Sequence, residues 1–190
     1  MDAASFFNPY AQTRVTAANL PHWRQDNVLY FVTFRLADSL PAEKIQSMRL
    51  ERETWLRTHP QPHTPQQEKE YWDRFGSRTH YWLDSSHGAC LLAKPGIRHI
   101  VEDALRHFEG QRYVLGRFVV APNHVHALVR PLDGHNLSGI LQSWKSFTAR
   151  RINDALGRSG QVWQKESYDH IVRSASAHWH IERYIEAHKE

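Results

Sequence analysis

The chain has 190 residues, of which 41% are hydrophobic and 12% aromatic, enough for one substantial core and unlike a disordered chain. Cys90 is the only cysteine, which excludes an intramolecular disulfide and a cysteine-rich zinc site. The net charge of +4 comes from the last 80 residues: residues 1–110 carry 13 Lys and Arg against 13 Asp and Glu, and residues 111–190 carry 11 against 7. Such a basic half suits a polyanionic partner if its cations share a face.

The N-terminal sequence MDAASFFNPYAQTR has no charged segment followed by an apolar one, and no apolar run reaches 18 residues. We therefore expect a soluble, unsecreted protein. A single cysteine is compatible with the reducing cytoplasm, where we expect the protein to be located.

The first half of the chain predicts one strand, one helix and a segment without a regular pattern. Asp26–Leu36 is rich in β-branched and aromatic residues, and Pro41–Pro60 follows with apolar residues at helical spacing. His59–Lys69 is rich in proline and glutamine, which predicts a loop, and the aromatic stretch after it permits no assignment. We expect one domain over residues 1–190 with an insertion at about residues 58–93.

The second half has a clearer pattern. It predicts an amphipathic helix at Lys94–Gly110, two strands joined by a Pro-Asn corner, a long helix at Leu137–Gly157, a short extended segment and a last helix at Ser176–Glu190 with Ser176 as its N-cap. This order indicates an α+β protein, a ferredoxin-like sandwich with helices packed on one face of a mostly antiparallel sheet.

Two histidines stand one residue apart in the strand APNHVHALVR, residues 121–130. Because side chains alternate along a strand, His124 and His126 point to the same side, with their Cα atoms roughly 7 Å apart. They are either half-exposed strand residues without a task or a pair with a metal-binding or acid/base role, and the spacing alone does not decide between these.

Four linked segments carry a family resemblance: VVAPNHVHALVRP, a helix with WKSFTARRIN, then VWQKESYDHIVR, and a last helix with RYIEAH. Together they resemble the single-tyrosine HUH transposases, most closely the REP-associated branch, over Asn27–Leu36 and Lys94–Glu190. The resemblance implies a nuclease that cuts single-stranded DNA through a tyrosine. It also implies that the two strand histidines and a polar residue one helical turn after the tyrosine hold a divalent metal, Mg²⁺ or Mn²⁺.

On this sequence the resemblance makes Tyr184 the catalytic residue and His124, His126 and His188 the metal ligands. The family usually has asparagine or glutamine where His188 stands, although imidazole is also a competent ligand. Residues i and i+4 share one helix face with about 6 Å of rise between them, so Tyr184 and His188 can address one point above the histidine strand. The expected product is a 5′-phosphotyrosyl intermediate with a free 3′-hydroxyl.

Alternatives exist for the nucleophile. Tyr184 is also placed to pack as an ordinary aromatic residue beside Trp179, Ile181 and Ile185. Tyr168, with Asp169 and His170 beside it, is the rival nucleophile. We prefer Tyr184 because its helix supplies a ligand at i+4.

The resemblance implies that the helix after the histidine strand and the segment VWQKES face single-stranded or hairpin DNA, with the protein acting as a monomer or a homodimer. The expected DNA-binding residues are Lys145, Arg150, Arg151, Lys165, Tyr168, His170 and Arg173. Two other functions stay open: a DNA-hairpin or RNA-binding module that has kept the fold without turnover, and a metal-dependent hydrolase acting through water.

Overall fold

The computed structural model describes residues 6–17, 21–40, 42–60, 64–71, 74–75 and 87–188, and its first regular element is a two-stranded hairpin. In it β1 (Arg14–Ala17) pairs antiparallel with β2 (Pro21–Arg24). No strand is predicted here from the sequence, because a four-residue strand is too short to show alternation. Arg24 forms an ion pair with the buried Asp169, which ties the hairpin to the main sheet.

The main sheet has four antiparallel strands, as the β-branched and aromatic composition of the segments predicts. They are β3 (Tyr30–Arg35), β4 (Tyr113–Val120), β5 (His124–Pro131) and β6 (Tyr168–Ile171), in the order β4-β5-β3-β6. The predicted Pro-Asn corner joins β4 to β5. In the register of β3 and β5, Thr33 lies opposite His126 and Arg35 lies opposite His124.

The chain divides into two compact units, one made of Met1–Ala37 with Leu91–Glu190 and the other of Asp38–Cys90. The second unit contains α1 (Ala42–Thr58) and α2 (Pro65–Tyr71). Its buried Trp55 stacks on His59, with ring centroids 4.1 Å apart. Parts of the expected insertion, residues 61–63, 72–73 and 76–86, lie outside the described residues, and the single-domain assignment stays a prediction.

The first unit contains three α-helices among its described residues: α3 (Pro95–Arg106), α4 (Leu137–Ala155) and α5 (Ala175–Ala187). The prediction of Ser176 as the N-cap of the last helix is wrong. Ser174 is the N-cap: its backbone is extended and its side chain accepts a hydrogen bond from the Ala177 amide. Two serines two residues apart both fit the capping pattern, and only the backbone geometry distinguishes them.

Both faces of the main sheet are covered. Tyr30, Val32 and Phe34 point to the face on which α3 and α4 pack, and Phe31 and Leu128 point to the face covered by α5. Packing of the helices on one face only is therefore wrong, and the reason is that β3 and β5 are buried on both sides.

The α+β class is confirmed. From β3 onward the first unit runs β-α-β-β-α-β before α5, an order that agrees with the ferredoxin-like arrangement, which stays a prediction. Among the described residues no helix is both long enough and apolar enough to cross a bilayer.

Candidate metal centre and tyrosine

The two strand histidines lie on the face of the sheet covered by α5. Alternation along β5 sends Val125 and Ala127 to the α3/α4 face and leaves His124 and His126 on the other. Neither ring is half-exposed: the exposed fractions are 1% for His124 and 0% for His126. Two imidazoles are thus removed from water, which costs free energy unless their nitrogens are bonded.

Each histidine of the site has a partner at Nδ1. His124 Nδ1 donates to Asn123 Oδ1 at 2.8 Å, and His188 Nδ1 donates to the Tyr184 carbonyl at 2.8 Å. His126 Nδ1 lies 2.8 Å from the Thr33 hydroxyl. A neutral imidazole that donates through Nδ1 carries its lone pair on Nε2, which is the arrangement that hydrogen bonds behind a metal site impose on its histidine ligands.

His188 completes a cluster of three imidazoles. It is the C-cap residue of α5, and one ligand nitrogen from each of His124, His126 and His188 lies within 4.8 Å of the others. The Nε2 atoms of His124 and His126 are 2.9 Å apart. Two lone pairs at this distance repel unless a proton or a cation lies between them, so the donor set fits a bound cation, and the three histidines could bind a metal ion.

The Tyr184 hydroxyl lies at the same point. Its oxygen is 3.3 Å from His126 Nε2, and the ring centroids of the two residues are 5.2 Å apart. Phe31 stacks on His126 and meets Tyr184 edge-on, at 5.3 Å and 6.2 Å between centroids. Tyr184 also packs beside Ile181 and Ile185, so the same side chain belongs to the apolar cluster and presents its hydroxyl to the histidines.

Tyr168 and His170 lie on the same face of the sheet but further away along it. In the register of β3 and β6, Tyr168 is opposite Thr33 and His170 is opposite Phe31, and β3 separates both of them from the histidine strand. Burial lowers the pKa of His170 to about 4, so its ring is neutral at pH 7. The structure therefore brings Tyr184, and not Tyr168, over β5.

The expected DNA-binding cations are dispersed. Arg150 and Arg151 are exposed on α4, which packs on the face opposite the histidines. Lys145 Nζ donates to the Lys165 carbonyl at 2.8 Å, and burial lowers the pKa of Lys145 to about 8. Lys165 is exposed, and the exposed Arg173 has its guanidinium 5.6 Å from the ring centroid of Phe7. Arg150 and Arg151 therefore do not share a face of the sheet with the histidines.

Three residues of the site are not predicted from the sequence. Asn123 fits the predicted turn, but its side-chain oxygen also accepts a hydrogen bond from His124 Nδ1. Thr33 lies within hydrogen-bond distance of His126 Nδ1, and Arg35 lies opposite His124. A signal was present: Thr33 and Arg35 are the two polar residues of an otherwise apolar strand, YFVTFR, and stand two apart, which is the spacing of one strand face.

A buried histidine pair on a strand faces a helix that brings a third histidine and a tyrosine hydroxyl, and this arrangement forms a site that could bind a metal ion beside a phenol hydroxyl. Residues 93–188 match the family model of the IS200-like transposases. Since this match spans half of the chain, the protein belongs to that family, which supports a transposase role and DNA cleavage.

Two solved structures are similar to this chain. One is a REP-associated tyrosine transposase bound to a REP hairpin, with 14% identity, a TM-score of 0.37, and coverage of 94% of this chain and 68% of that one. The other is a Deinococcus radiodurans R1 protein provisionally named a transposase, with 15% identity, a TM-score of 0.39, and coverage of 96% and 95%. Among curated proteins no match is found.

Proposed function

We propose that the protein is a metal-dependent, single-stranded DNA endonuclease and strand transferase that acts through Tyr184. The observation that carries this proposal is the Tyr184 hydroxyl 3.3 Å from His126 Nε2, within the cluster of His124, His126 and His188. A tyrosine of the IS200-like family at a cluster of nitrogen ligands has both the nucleophile and the charge-neutralising group that phosphoryl transfer needs.

His124, His126 and His188 would hold the ion, each through the ring nitrogen that is not hydrogen-bonded to Asn123, Thr33 or the Tyr184 carbonyl. The bound ion would act as a Lewis acid, polarising the phosphate and lowering the cost of charge on the phenol oxygen. Imidazole nitrogens suit transition metals better than Mg²⁺, which prefers oxygen ligands. Of the two expected ions, Mn²⁺ is therefore the better match to a set of three histidines.

In the proposed reaction the Tyr184 oxygen forms a bond to phosphorus and the bond from phosphorus to the 3′-oxygen breaks. The phenol proton is lost to solvent, and the 3′-oxygen takes up a proton to become a free 3′-hydroxyl. One phosphodiester is exchanged for another, so no external energy source is needed. Attack of a 3′-hydroxyl on the phosphotyrosine rejoins DNA and restores the phenol, which permits strand transfer.

The proposed substrate is single-stranded DNA, with a hairpin or repeat beside the cleavage point. Tyr168 and His170 share the histidine face and are candidates for lining the DNA path, while Arg150, Arg151, Lys165 and Arg173 are exposed cations that suit phosphates. Lys145 supports the DNA path indirectly, through the backbone of Lys165. One chain supplies the tyrosine and all three histidines, which favours cleavage in cis by a monomer over exchange within a homodimer.

The test is adduct formation with hairpin oligonucleotides taken from beside the gene, labelled at the 5′ or the 3′ end and analysed on denaturing gels with Mn²⁺ and then with EDTA. We expect label on the protein only for the 3′-labelled strand and only with Mn²⁺. Tyr184→Phe should abolish the adduct while leaving DNA binding nearly intact, because only the hydroxyl is lost. Tyr168→Phe should still form it.

Other outcomes contradict specific parts of the proposal. An adduct of undiminished yield with Tyr184→Phe would transfer the role of nucleophile to Tyr168. Cleavage without any adduct would indicate hydrolysis by water. Bound but uncut DNA across several hairpins and metals would indicate a binding module that has kept the site without using it.

A further inference from the structure

One cation lies next to the histidines, and it was not among the residues expected to bind DNA. Arg35 is the last residue of β3 and lies directly opposite His124, the first residue of β5. Paired residues on antiparallel strands point to the same face of the sheet. The bond between Thr33, two residues earlier, and His126 establishes which face this is. The Arg35 side chain therefore leaves the sheet on the side of the histidine cluster.

The charge of Arg35 is available to a ligand. Its side chain is only partly exposed, and within the described part of the chain its guanidinium makes no hydrogen bond or ion pair. Burial lowers the pKa of Arg35 to about 10, while the Glu166 carboxylate acts to raise it. The group therefore stays cationic at neutral pH. A partly buried guanidinium whose N–H donors are not bonded to protein can donate them to an anionic ligand, and it attracts that ligand more strongly than a fully solvated cation does.

The anion that suits this position is a phosphate. A guanidinium presents paired N–H donors that match two phosphate oxygens, and at a site of low solvent exposure such a contact is stronger than at the surface. The exposed cations of α4 lie on the opposite face of the sheet and are not placed to make this contact. Thr33 and Arg35 thus lie on the same face of β3 with different roles: Thr33 orients a histidine, and Arg35 carries the charge.

We propose that Arg35 binds the non-bridging oxygens of the scissile phosphate and holds that phosphate at the histidine cluster for attack by Tyr184. This inference rests on the proposed function, since it takes the substrate to be DNA cut at this site. It adds a phosphate-binding residue from β3 to the residues of β5 and α5, so that the phosphate is held from two adjacent strands.

The experiment compares Arg35→Gln with Arg35→Lys and with the matched control Arg106→Gln, an exposed arginine of α3 on the other side of the sheet. The single-turnover rate of adduct formation is measured on an oligonucleotide whose cleavage position has been mapped with the wild type. We expect Arg35→Gln to slow the rate by about 100-fold, the usual effect of losing one donor to a developing charge, and Arg35→Lys to slow it less. Arg106→Gln should match the wild type.

A second measurement separates phosphate binding from a structural role. In the uncleavable Tyr184→Phe background, the affinity for the normal oligonucleotide is compared with that for one bearing a neutral methylphosphonate at the scissile position. Arg35→Gln should weaken binding of the normal strand and have no further effect on the neutral one. A structural defect would weaken both equally, which would overturn the proposal.

The outcomes also distinguish this proposal from the proposed function. A wild-type protein that forms no adduct with any hairpin overturns the proposed function, and with it the assignment of Arg35 to a scissile phosphate. A wild type that forms the adduct, together with an Arg35→Gln variant of unchanged rate, overturns only the role of Arg35.

Discussion

The two faces of the main sheet are made by the same strands and yet differ in composition. The face under α3 and α4 is apolar, and its cluster contains Tyr30, Val32 and Phe34 from β3 with Val125, Ala127 and Val129 from β5. The face under α5 alternates with it residue by residue and carries Thr33, Arg35, His124 and His126 beside Phe31 and Leu128.

This difference indicates a division of tasks between the two faces. Two helices and a continuous apolar cluster supply most of the hydrophobic stabilisation on one side, which leaves the other side free to bury polar groups at a cost in stability. The histidines His124 and His126 are held by the strands of the sheet, and a single helix, α5, places the tyrosine against them. The site is therefore built on the most precisely positioned part of the fold.

The largest expected effect is on the free energy of unfolding, and a matched pair of isoleucines, one on each face of the sheet, tests it. Ile152 of α4 and Ile185 of α5 are both 0% exposed, one on each face. We expect Ile152→Ala to lower the free energy of unfolding by about 4 kcal/mol and Ile185→Ala by about 2 kcal/mol, because the smaller cluster can collapse more easily around the cavity. Urea denaturation monitored by circular dichroism measures both.

Adduct formation should be affected in the opposite order, with a larger loss for Ile185→Ala than for Ile152→Ala. Ile185 is adjacent to Tyr184 in the chain and packs in the same cluster, so its truncation loosens the tyrosine, whereas Ile152 lies on the far face. Equal losses of stability combined with equal losses of adduct would contradict the division of tasks between the faces.

The next largest effect is the loss of stability in acid that we expect from His170, on the face of the sheet covered by α5. Burial lowers the pKa of His170 to about 4, below the value near 6.5 of an unfolded histidine. Between these values the unfolded chain binds a proton that the folded chain does not, so the contribution is complete above pH 6.5 and is lost as the pH falls towards 4. We expect the contribution of His170 to the free energy of unfolding to be about 2 kcal/mol, which is less than for a fully buried ring because His170 is half-buried.

The measurement is the free energy of unfolding of the wild type and of His170→Gln between pH 7 and pH 4. The difference between the two proteins should shift by this amount over the interval. Curves that stay parallel would show that the ring is not held neutral by the fold.

The segments with strong periodicity were predictable from sequence. The helix of Lys94–Gly110 and the two strands at the Pro-Asn corner are confirmed with bounds shifted by a few residues, because α-helical and strand periodicities are unambiguous over such lengths. The four-residue β1 and β2 carry no periodic signal, and the face on which α5 packs depends on the sheet order, which no local pattern encodes.

The site shows the same limit. The i,i+2 spacing of His124 and His126 and the i,i+4 spacing of Tyr184 and His188 are local, and the structure brings these four residues together. Thr33 and Arg35 lie about 90 positions from their strand partners and join the site through strand register alone, and the dispersal of Arg150 and Arg151 to the other face follows from the packing of α4. Long-range pairing is the information that sequence spacing lacks.

The smallest expected effect concerns how α5 is held over the site face. At Leu115–Phe118 the register of β4 shifts, so that two residues, Gly116 and Arg117, stand opposite Leu128 of β5, and a bulge of this kind re-aims the side chains it contains. A side chain at Gly116 would place its Cβ 2.9 Å from the Leu128 Cβ, which explains the glycine. Arg117 reaches α5 and pairs with Glu182 at 3.2 Å and Glu186 at 2.8 Å.

Because both partners of these ion pairs are partly exposed, Arg117→Gln should lower the free energy of unfolding by less than about 1 kcal/mol. Glu182 and Glu186 lie on either side of Tyr184 in the chain, so loss of Arg117 should slow adduct formation about three- to fivefold at low salt, with the difference from the wild type shrinking as salt screens the pairs. Arg106→Gln removes a comparable pair on α3, with Glu102 at 3.9 Å, and should change stability equally little without slowing the adduct. If both variants slow the adduct to the same extent, the effect is one of general stability and Arg117 does not position the tyrosine helix.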